Sequence, residues 1–261
     1  MRDGFPLQAL VSNTFGIKTT NCAHRNGRST TAPQYLIQRR LYHAPGCAWS
    51  PNTWKIRYAF NFKGLAYKTV WVEYPDIEDL CKKIGAEPTM IRKNGVPYYT
   101  LPVIQDPQTG AIVSDSARIA DYLDSTYPSP KITPAGTHVL QKTFQVAYDQ
   151  AIGPMVQFVI PAIAKILRPK SEEYFVRTRE ASFRKKFVDV EPTGEAREAA
   201  WKEVEAGLGK VDRWLNEGKN NGAPFVMGDS PTLADFMIAG KMQWFMKGFG
   251  EDSDLFSDMM K

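Results

Sequence analysis

The alternation of apolar and polar positions predicts a hairpin followed directly by a helix near the middle of the chain. Residues 101–104 and 110–113 are short apolar runs with β-branched residues, and the segment between them carries Pro107 and Gly110. Proline and glycine provide the restricted and the permissive backbone that a tight return requires. Beyond the second run, apolar side chains recur at spacings of three and four, as on one face of a helix: Ile119, Tyr122 and Leu123.

Pro102 lies inside the first of these apolar runs. Proline cannot donate a hydrogen bond to a strand ladder, so the position requires an edge, a bulge or a special turn. A cis Leu101–Pro102 bond is one solution, and it would turn the backbone of Leu101 outward to pair with an extended peptide.

Asp115 and Ser116 stand where the following helix begins. The free N–H groups and the dipole of a helix N-terminus accept a carboxylate, and Asp115 could hold an ammonium group of the same ligand. With Pro102, these residues predict a receptor for a short zwitterionic peptide. The alternative is a hairpin packed under a helix with Ser116 serving only as a cap, and residue spacing alone does not separate the two.

Strand and helix signals alternate around this hairpin. Ser50 followed by Pro51 is typical of a helix start, and that helix is predicted to end near residues 63–64. Strands are predicted over residues 35–42 and 65–74, a short helix over 76–84 and a polar loop over 85–96. This order predicts a mixed sheet with helices on both faces.

Beyond a linker, the pattern is helical throughout. A long helix over residues 137–167, kinked at Gly153–Pro154 and near Pro161, precedes a charged amphipathic helix over 171–187. Thr232 and Asp235 have the spacing of a capping box at the start of the last helix. An apolar stripe before it is interpreted as core rather than as a cofactor site: Trp201, Val204, Leu208, Val211 and Leu215.

Composition narrows the classes of function. With 261 residues, 43% of them hydrophobic, the chain can form one large domain or two small ones. The net charge of +5 lies in residues 1–49, which carry six basic residues and one acidic residue, while the remainder carries 27 of each sign. A neutral body argues against a nucleic-acid-binding face.

The cysteines and the apolar tracts exclude further classes. Cys22, Cys47 and Cys81 are odd in number and scattered, which favours a reducing compartment over a disulfide framework. Cys22 and His24 have no second ligand pair at metal spacing, so no metal site is predicted. The longest apolar tract, residues 151–167, is too short and too interrupted to span a membrane.

Residues 1–34 form a basic extension whose composition is similar to that of a mitochondrial transit peptide. A disordered arm and a mistaken start of the gene model are the alternatives, and we favour these over targeting. The expected location of the protein is therefore the cytoplasm.

Together, these features resemble the cytosolic glutathione transferases. Pro102 matches the cis-proline of that family, Asp115–Ser116 the pair that holds the γ-glutamyl group, and Thr232–Asp235 the N-capping box. The resemblance covers residues 50–127 and 136–250. Within it, the run Ala-Trp-Ser-Pro-Asn-Thr-Trp-Lys at residues 48–55 is similar to the fungal-specific A class, itself related to bacterial glutathione-dependent β-etherases.

The resemblance implies the glutathione transferase architecture, an α/β thioredoxin-like N-terminal domain followed by an all-α helical C-terminal domain. Residues 35–127 would form the first domain, 128–135 the linker and 136–261 the second domain. Family members begin with a short apolar strand, whereas this chain has the basic extension and an arginine-containing candidate strand. They also continue through further helices, so the end at Lys261 predicts a shortened C-terminal domain.

The resemblance also assigns candidate chemistry. Ser50 would donate a hydrogen bond to the thiolate of the cofactor glutathione, with Asn52 or Thr53 as a second donor. The alternative role for Ser50 is plain helix capping. The residues that would hold glutathione are Leu101, Pro102, Asp115 and Ser116. Candidates for an apolar electrophile pocket are Trp49, Tyr98, Tyr99 and Met155. The expected partners are glutathione, small hydrophobic electrophiles and a second copy of the chain.

Three other interpretations stay open. The spacing Cys47-x-x-Ser50 resembles a monothiol redox motif, which would indicate thiol transfer. The chain could instead be a non-catalytic carrier of aromatic molecules that uses glutathione as an accessory ligand. It could also be a transferase-like interaction module of the kind attached to translation factors.

Overall fold

A computed structural model describes residues 34–39, 48–254 and 257 of the chain. Within these residues, four strands form one mixed sheet in the order β2-β1-β5-β6. The strands are β1 (Gln34–Arg39), β2 (Tyr67–Val72), β5 (Val103–Gln105) and β6 (Ile112–Ser114). β1 pairs with β2 in parallel, whereas the pairs β1–β5 and β5–β6 are antiparallel. The predicted mixed sheet is confirmed, while residues 1–33 and 40–42 of the predicted extension and first strand lie outside the described residues.

A second, smaller sheet corrects the loop predicted over residues 85–96. β3 (Met90–Ile91) and β4 (Pro97–Tyr98) form an antiparallel hairpin there. Its turn is closed by the amide of Arg92, which donates to the carbonyl of Val96 at 2.9 Å. Gly95 takes a φ of 79°, a conformation that glycine adopts without a steric penalty. The sequence shows the turn residues, but the strands that they join are too short to show the apolar–polar alternation of a strand.

Three helices accompany the main sheet. They are α1 (Pro51–Phe62), α2 (Ile77–Ile84), which follows a short 3₁₀ turn at Tyr74–Asp76, and α3 (Ser116–Thr126). α1 has Pro51 at its first position, as the Ser-Pro pair predicted. The shared core of α1, the sheet and α3 contains fully buried apolar side chains: Ile56, Phe60, Ile104, Ile119 and Leu123.

The remaining chain is helical, as predicted, but one predicted helix is divided. The helices are α4 (His138–Ala151), α5 (Val156–Ala164), α6 (Pro169–Phe183), α7 (Gly194–Asn220) and α8 (Leu233–Phe249). The single kinked helix expected over residues 137–167 is α4 and α5, separated by a 3₁₀ turn at Gly153–Met155. The proline of that turn has no N–H to continue the hydrogen bonds of α4, which explains the break. Pro161 lies inside α5.

α8 is the helix that joins the two halves of the molecule. The capping box is confirmed, because the Asp235 carboxylate accepts from the backbone N–H of Thr232 at 2.8 Å. α8 packs along α1, and the two helices lie close together at Gly240. A Cβ atom at that position would lie 2.7 Å from the carbonyl oxygen of Pro51, so only glycine permits this approach.

The segment predicted as a linker is held by a buried ion pair. Lys63, at the end of α1, donates to Asp124 Oδ1 at 2.7 Å and to the carbonyl oxygens of Tyr127 and Pro130. Asp124 in turn accepts from the backbone N–H groups of Ile132 and Thr133. A buried charge is destabilising when one of its hydrogen-bond partners is lost, and several partners here are backbone groups of this segment. Residues 128–133 are therefore a fixed part of the fold rather than a flexible tether.

No helix in the described part of the chain is both long and apolar enough to cross a membrane.

Candidate functional site

The start of α1 presents the hydroxyl group of Ser50. Ser50 occupies the cap position with extended backbone angles, φ −68° and ψ 128°, and only 2% of its surface is exposed. Its side chain nevertheless makes no capping hydrogen bond. A serine hydroxyl normally satisfies a free N–H of the first turn at this position. The capping alternative for Ser50 is therefore wrong, and its hydroxyl is available to a ligand at the positive end of the helix.

Thr53 holds the backbone of Ser50 in place. Its hydroxyl donates to the carbonyl oxygen of Ser50 at 2.8 Å, and the amides of Thr53 and Trp54 donate to the same oxygen. A hydroxyl has one proton to donate, so in this conformation Thr53 has none left for a second acceptor. This corrects the predicted role of Thr53 as a second donor to a sulfur atom. Asn52 is exposed on the first turn and keeps its predicted role as a candidate.

The Leu101–Pro102 bond is cis, as predicted. Both residues are buried, and they precede β5. The strand register places them beside the end of β6, because Val103 pairs with Ser114. The main chain of Leu101 and the start of α3 therefore lie at the same end of strands β5 and β6, where an extended ligand can contact both.

Asp115 starts α3 in a strained conformation. Its φ of 77° is in the range that favours glycine, and holding another residue there costs about 1–3 kcal/mol. Asp115 Oδ1 accepts from the amides of Ala117 at 2.9 Å and Arg118 at 3.2 Å, so Asp115, not Ser116, is the cap. The alternative that made Ser116 the cap is wrong. Ser116 is the first residue of α3 and is half-buried.

Two of the four pocket candidates belong to the core instead. Trp49 is 3% exposed and packs against Tyr74 and Phe175, with ring centroids 6.1 Å and 6.4 Å away. Met155 is 1% exposed and lies in the core of the helical half. Both predictions are corrected, because an apolar side chain that is covered on all sides cannot line an open pocket.

The other two candidates are half-buried and lie near the small hairpin. The guanidinium of Arg92 lies 4.1 Å from the ring centroid of Tyr98, and the ammonium of Lys82 lies 5.9 Å from that of Tyr99. Tyr98 and Tyr99 immediately precede the segment that contains the cis proline. Both therefore remain pocket candidates.

Lys55 is a buried charged residue that the sequence pattern did not single out. It lies in α1 and is 5% exposed, although lysine is rarely buried without a partner. Burial lowers the pKa of its ammonium to about 8, and the positive charge of Lys241 adds to this, while Asp149 and Asp115 oppose it. A lysine between Trp54 and Ile56 was the available signal, since it interrupts an apolar stretch.

The cysteines and the potential metal ligands can be examined only in the described part of the chain. Cys22 and Cys47 lie outside the described residues, so the Cys47-x-x-Ser50 interpretation stays open. Cys81 is 1% exposed, and burial followed by the charge of Glu78 raises the pKa of its thiol to about 11, which keeps it unreactive. The described residues contain no group of three or more histidine, cysteine or acidic side chains placed to hold a metal ion.

Family models match both halves of the chain. The model described as "Glutathione S-transferase, N-terminal domain" matches residues 41–131. The model described as "Glutathione S-transferase, C-terminal domain" matches residues 139–261. The first match ends within the segment that the Lys63–Asp124 ion pair holds in place, and the second begins shortly after it.

Similar proteins come from fungi. The "Glutathione S-transferase-like protein ustS" of Aspergillus flavus is 33% identical over 209 residues, which are 76% of this chain and 74% of that protein. The crystal structure of the glutathione S-transferase CsGST63524 of Ceriporiopsis subvermispora in complex with glutathione has a TM-score of 0.81 and 45% identity, covering 87% of this chain and 90% of that one. The glutathione transferase GSTFuA3 of Phanerochaete chrysosporium has a TM-score of 0.80 and 40% identity, covering 89% and 92%.

Proposed function

This chain belongs to the glutathione S-transferase family, and from that premise we propose that it binds glutathione and uses Ser50 to activate the thiolate for transfer to small apolar or aromatic electrophiles. The observation that carries the proposal is the Ser50 hydroxyl. It is buried at the positive end of α1, and its expected role as a helix cap is not taken up. The proposal also has support from the solved fungal relative that was crystallised with glutathione.

The residues at the start of β5 and the start of α3 fit the tripeptide. The main chain of Leu101 ahead of Pro102 suits the cysteinyl part, because an extended peptide pairs with exposed backbone groups. Asp115 Oδ1 caps α3, which leaves the second carboxylate oxygen to accept from the γ-glutamyl ammonium. The N–H groups and the hydroxyl of Ser116 at the start of α3 suit the glutamyl carboxylate.

Ser50 acts by hydrogen bonding rather than as a nucleophile. Glutathione supplies the sulfur that attacks the electrophilic carbon. The Ser50 hydroxyl donates to that sulfur, and together with the dipole of α1 it favours the thiolate over the thiol. The leaving group departs with its electron pair, as halide in a conjugation or as aryloxide in the cleavage of an aromatic ether. The similarity of residues 48–55 to the fungal-specific A class is the reason to include ether cleavage.

Ser50→Ala tests the role of the hydroxyl. We expect turnover of a model electrophile to fall by about tenfold or more, as for the loss of one transition-state hydrogen bond. The affinity for glutathione, measured by calorimetry, should change far less, because the glutamyl contacts remain. The matched control is Ser182→Ala, which removes an exposed hydroxyl on α6 that donates to the carbonyl of Thr178.

The outcomes of this experiment separate the candidate functions. Unchanged turnover in Ser50→Ala would remove Ser50 from the reaction. Tight binding of a hydrophobic dye with no conjugation of any electrophile would favour the carrier role instead. Failure of the wild-type protein to bind glutathione would contradict the proposed function as a whole.

We also propose that the protein is a homodimer that pairs through α4. Apolar side chains on the outer surface of this helix are exposed: Val139 by 72%, Leu140 by 59% and Val146 by 54%. Val139 and Val146 are seven residues apart and therefore lie on the same face. Large apolar side chains exposed on one face of a helix are typical of an interaction site.

A further inference from the structure

The side chain of Trp54 crosses the turn that carries Ser50. Its indole Nε1–H donates to the carbonyl oxygen of Ala48 at 3.0 Å, and its backbone N–H donates to the carbonyl oxygen of Ser50 at 3.1 Å. Trp54 is half-buried and lies at the end of the first turn of α1. One residue therefore holds a carbonyl group on each side of the Ser50 side chain.

The hydrogen bond to Ala48 restrains a part of the turn that Thr53 does not reach. The Thr53 hydroxyl and both amides meet the carbonyl that follows the Cα atom of Ser50. The direction of the side chain depends equally on the backbone before that atom, because peptide groups are planar and turn only about φ and ψ. There, the ring of Trp49 packs in the core, and the indole of Trp54 holds the Ala48 carbonyl. The backbone of Ser50 is thus held on both sides.

The indole ring of Trp54 has supports of its own. The guanidinium carbon of Arg57 lies 5.2 Å from the centroid of this ring and 5.4 Å from that of Tyr67 on β2. Arg57 is 7% exposed, its Nη1 donates to Thr69 Oγ1 at 3.3 Å, and its Nε has no partner among the described residues. A buried guanidinium is attracted to aromatic faces, so Arg57 links the indole to the sheet. The ring of Tyr58 lies 5.4 Å from the indole, between centroids.

We propose that Trp54 is a positioning residue for the reaction, which acts through the carbonyl of Ala48 to hold the Ser50 hydroxyl at the sulfur of glutathione. The inference rests on the proposed function, because it assigns a support to the hydroxyl named there. Trp54 acts without contacting the sulfur. Loss of the indole N–H should therefore impair formation of the thiolate and leave glutathione bound, since the backbone of Leu101 and the start of α3 are unchanged.

The substitution Trp54→3-benzothienylalanine removes the indole N–H and keeps the size of the ring. A sulfur atom replaces the nitrogen, so the contacts with Arg57 and Tyr58 remain. Turnover of a model electrophile should fall by about fivefold, which is less than for Ser50→Ala, because the hydroxyl remains and only its placement relaxes. The pKa of the bound glutathione thiol, measured by the ultraviolet absorbance of the thiolate, should rise. The Kd for glutathione, measured by calorimetry, should stay within about twofold.

A double-mutant cycle tests whether Trp54 acts through Ser50. In the Ser50→Ala background, Trp54→Phe should cause no further loss of turnover, because the hydroxyl that the indole positions is gone. The matched control is Trp214→Phe, which removes an indole of α7 that packs on Phe144 and should leave both turnover and the thiol pKa as in the wild type. Two electrophiles of different size should show the same fractional loss in Trp54→Phe, because both reactions use the same thiolate.

Each result bears on the inference. Losses that multiply in the double variant, or an unchanged thiol pKa in the benzothienyl variant, would overturn it while leaving glutathione binding intact. A loss that depends on the electrophile would place Trp54 in the substrate pocket and overturn it as well. Failure of the wild-type protein to bind glutathione would instead contradict the proposed function, and this inference with it.

Discussion

Single side chains set the geometry of the proposed site by forming hydrogen bonds with backbone groups. The Thr53 hydroxyl and two amides converge on the carbonyl of Ser50 and fix the direction of the first turn of α1. The Asp115 carboxylate does the same for α3 while its own backbone is strained. In the proposed mechanism these residues orient Ser50 and Ser116 and do not contact the sulfur of glutathione, so they are positioning residues. The fixed first turn of α1 would then hold the Ser50 hydroxyl in one place.

Asp106 is a third residue of this kind, and it holds the hairpin turn. It is 1% exposed and accepts from the hydroxyls of Tyr122 at 2.5 Å and Tyr127 at 2.6 Å, and from the amide of Gln108 at 2.9 Å. Burial alone would raise the pKa of this carboxyl, but the hydrogen bonds outweigh burial and lower the pKa below its ordinary value. The charged form is therefore the one that the folded state favours.

Asp106→Asn should lower the free energy of unfolding by about 1–3 kcal/mol at pH 7, since an amide accepts these hydrogen bonds less well. The folded pKa is depressed, so the stabilisation is full above the unfolded pKa of about 3.9 and is lost as the pH falls through the folded pKa. Urea unfolding at pH 7 and in steps down to pH 3 measures both effects.

The variant should also show a weaker decline of stability in acid than the wild type. Asp229→Asn, at an exposed aspartate, is the control and should match the wild type at every pH. If the two variants lost equal stability, the hydrogen bonds to Asp106 would not be responsible.

At the scale of elements, the packing of α1 on α8 supports the proposed site. The two helices approach at Gly240, and the same contact fixes the turn of α1 that follows Ser50. The capping box fixes the other end, because Asp235 accepts from the amides of Thr232 and Val226. α8 is therefore a rigid support whose position is defined at its start and at its close contact with α1.

Gly240→Ala should destabilise the protein by about 1–3 kcal/mol, because the added Cβ would overlap the carbonyl oxygen of Pro51. Turnover should fall together with stability, since the first turn of α1 must shift. Gly209→Ala on α7 is the control. There the new Cβ would meet only a side-chain nitrogen of Arg213 at 3.8 Å, so the substitution should stabilise by about 0.5–1 kcal/mol through helix propensity. Thermal unfolding measures the stability of both variants. If both substitutions stabilised the protein, the contact between residue 240 and Pro51 would not be close.

At the scale of the whole molecule, the core consists of two hydrophobic clusters, and each of them contains residues from both halves. Trp49, from the segment before α1, packs with Tyr74 on Phe175 of α6. Beside this cluster, Ser171 of α6 donates to the Glu73 carboxylate and accepts from the amide of Tyr74. The proposed site thus lies between parts that are joined by both apolar and polar contacts, which limits relative motion of the halves.

The exposed face of α4 gives a prediction at the same scale. In the proposed dimer, Val139→Glu together with Val146→Glu should place charges in the apolar interface and yield a monomer, as measured by sedimentation velocity. The control is Val188→Glu, at an 80% exposed valine between α6 and α7, which should leave the dimer intact. A wild-type protein that sediments as a monomer would contradict the pairing, and a double variant that remains dimeric would place the interface elsewhere.

The sequence by itself determined the features that depend on local backbone chemistry. A proline inside a strand, an acidic residue before a helix and a Thr-x-x-Asp pair each restrict the backbone within a few residues, and the structure has the cis bond, the cap of α3 and the capping box at those positions. The Ser-Pro start of α1 is local in the same way.

Only the tertiary structure decided which of the candidate side chains are covered by the core. Trp49 and Met155 are covered by residues far away in the chain, and no periodicity near either residue reports this. The pKa of the Lys55 ammonium depends on its burial and on charges from α3, α4 and α8. The conformation of residues 128–133 depends on the hydrogen bonds of Lys63 at the end of α1. Burial and long-range electrostatics depend on which segments meet in space, and the pattern along one segment does not contain that information.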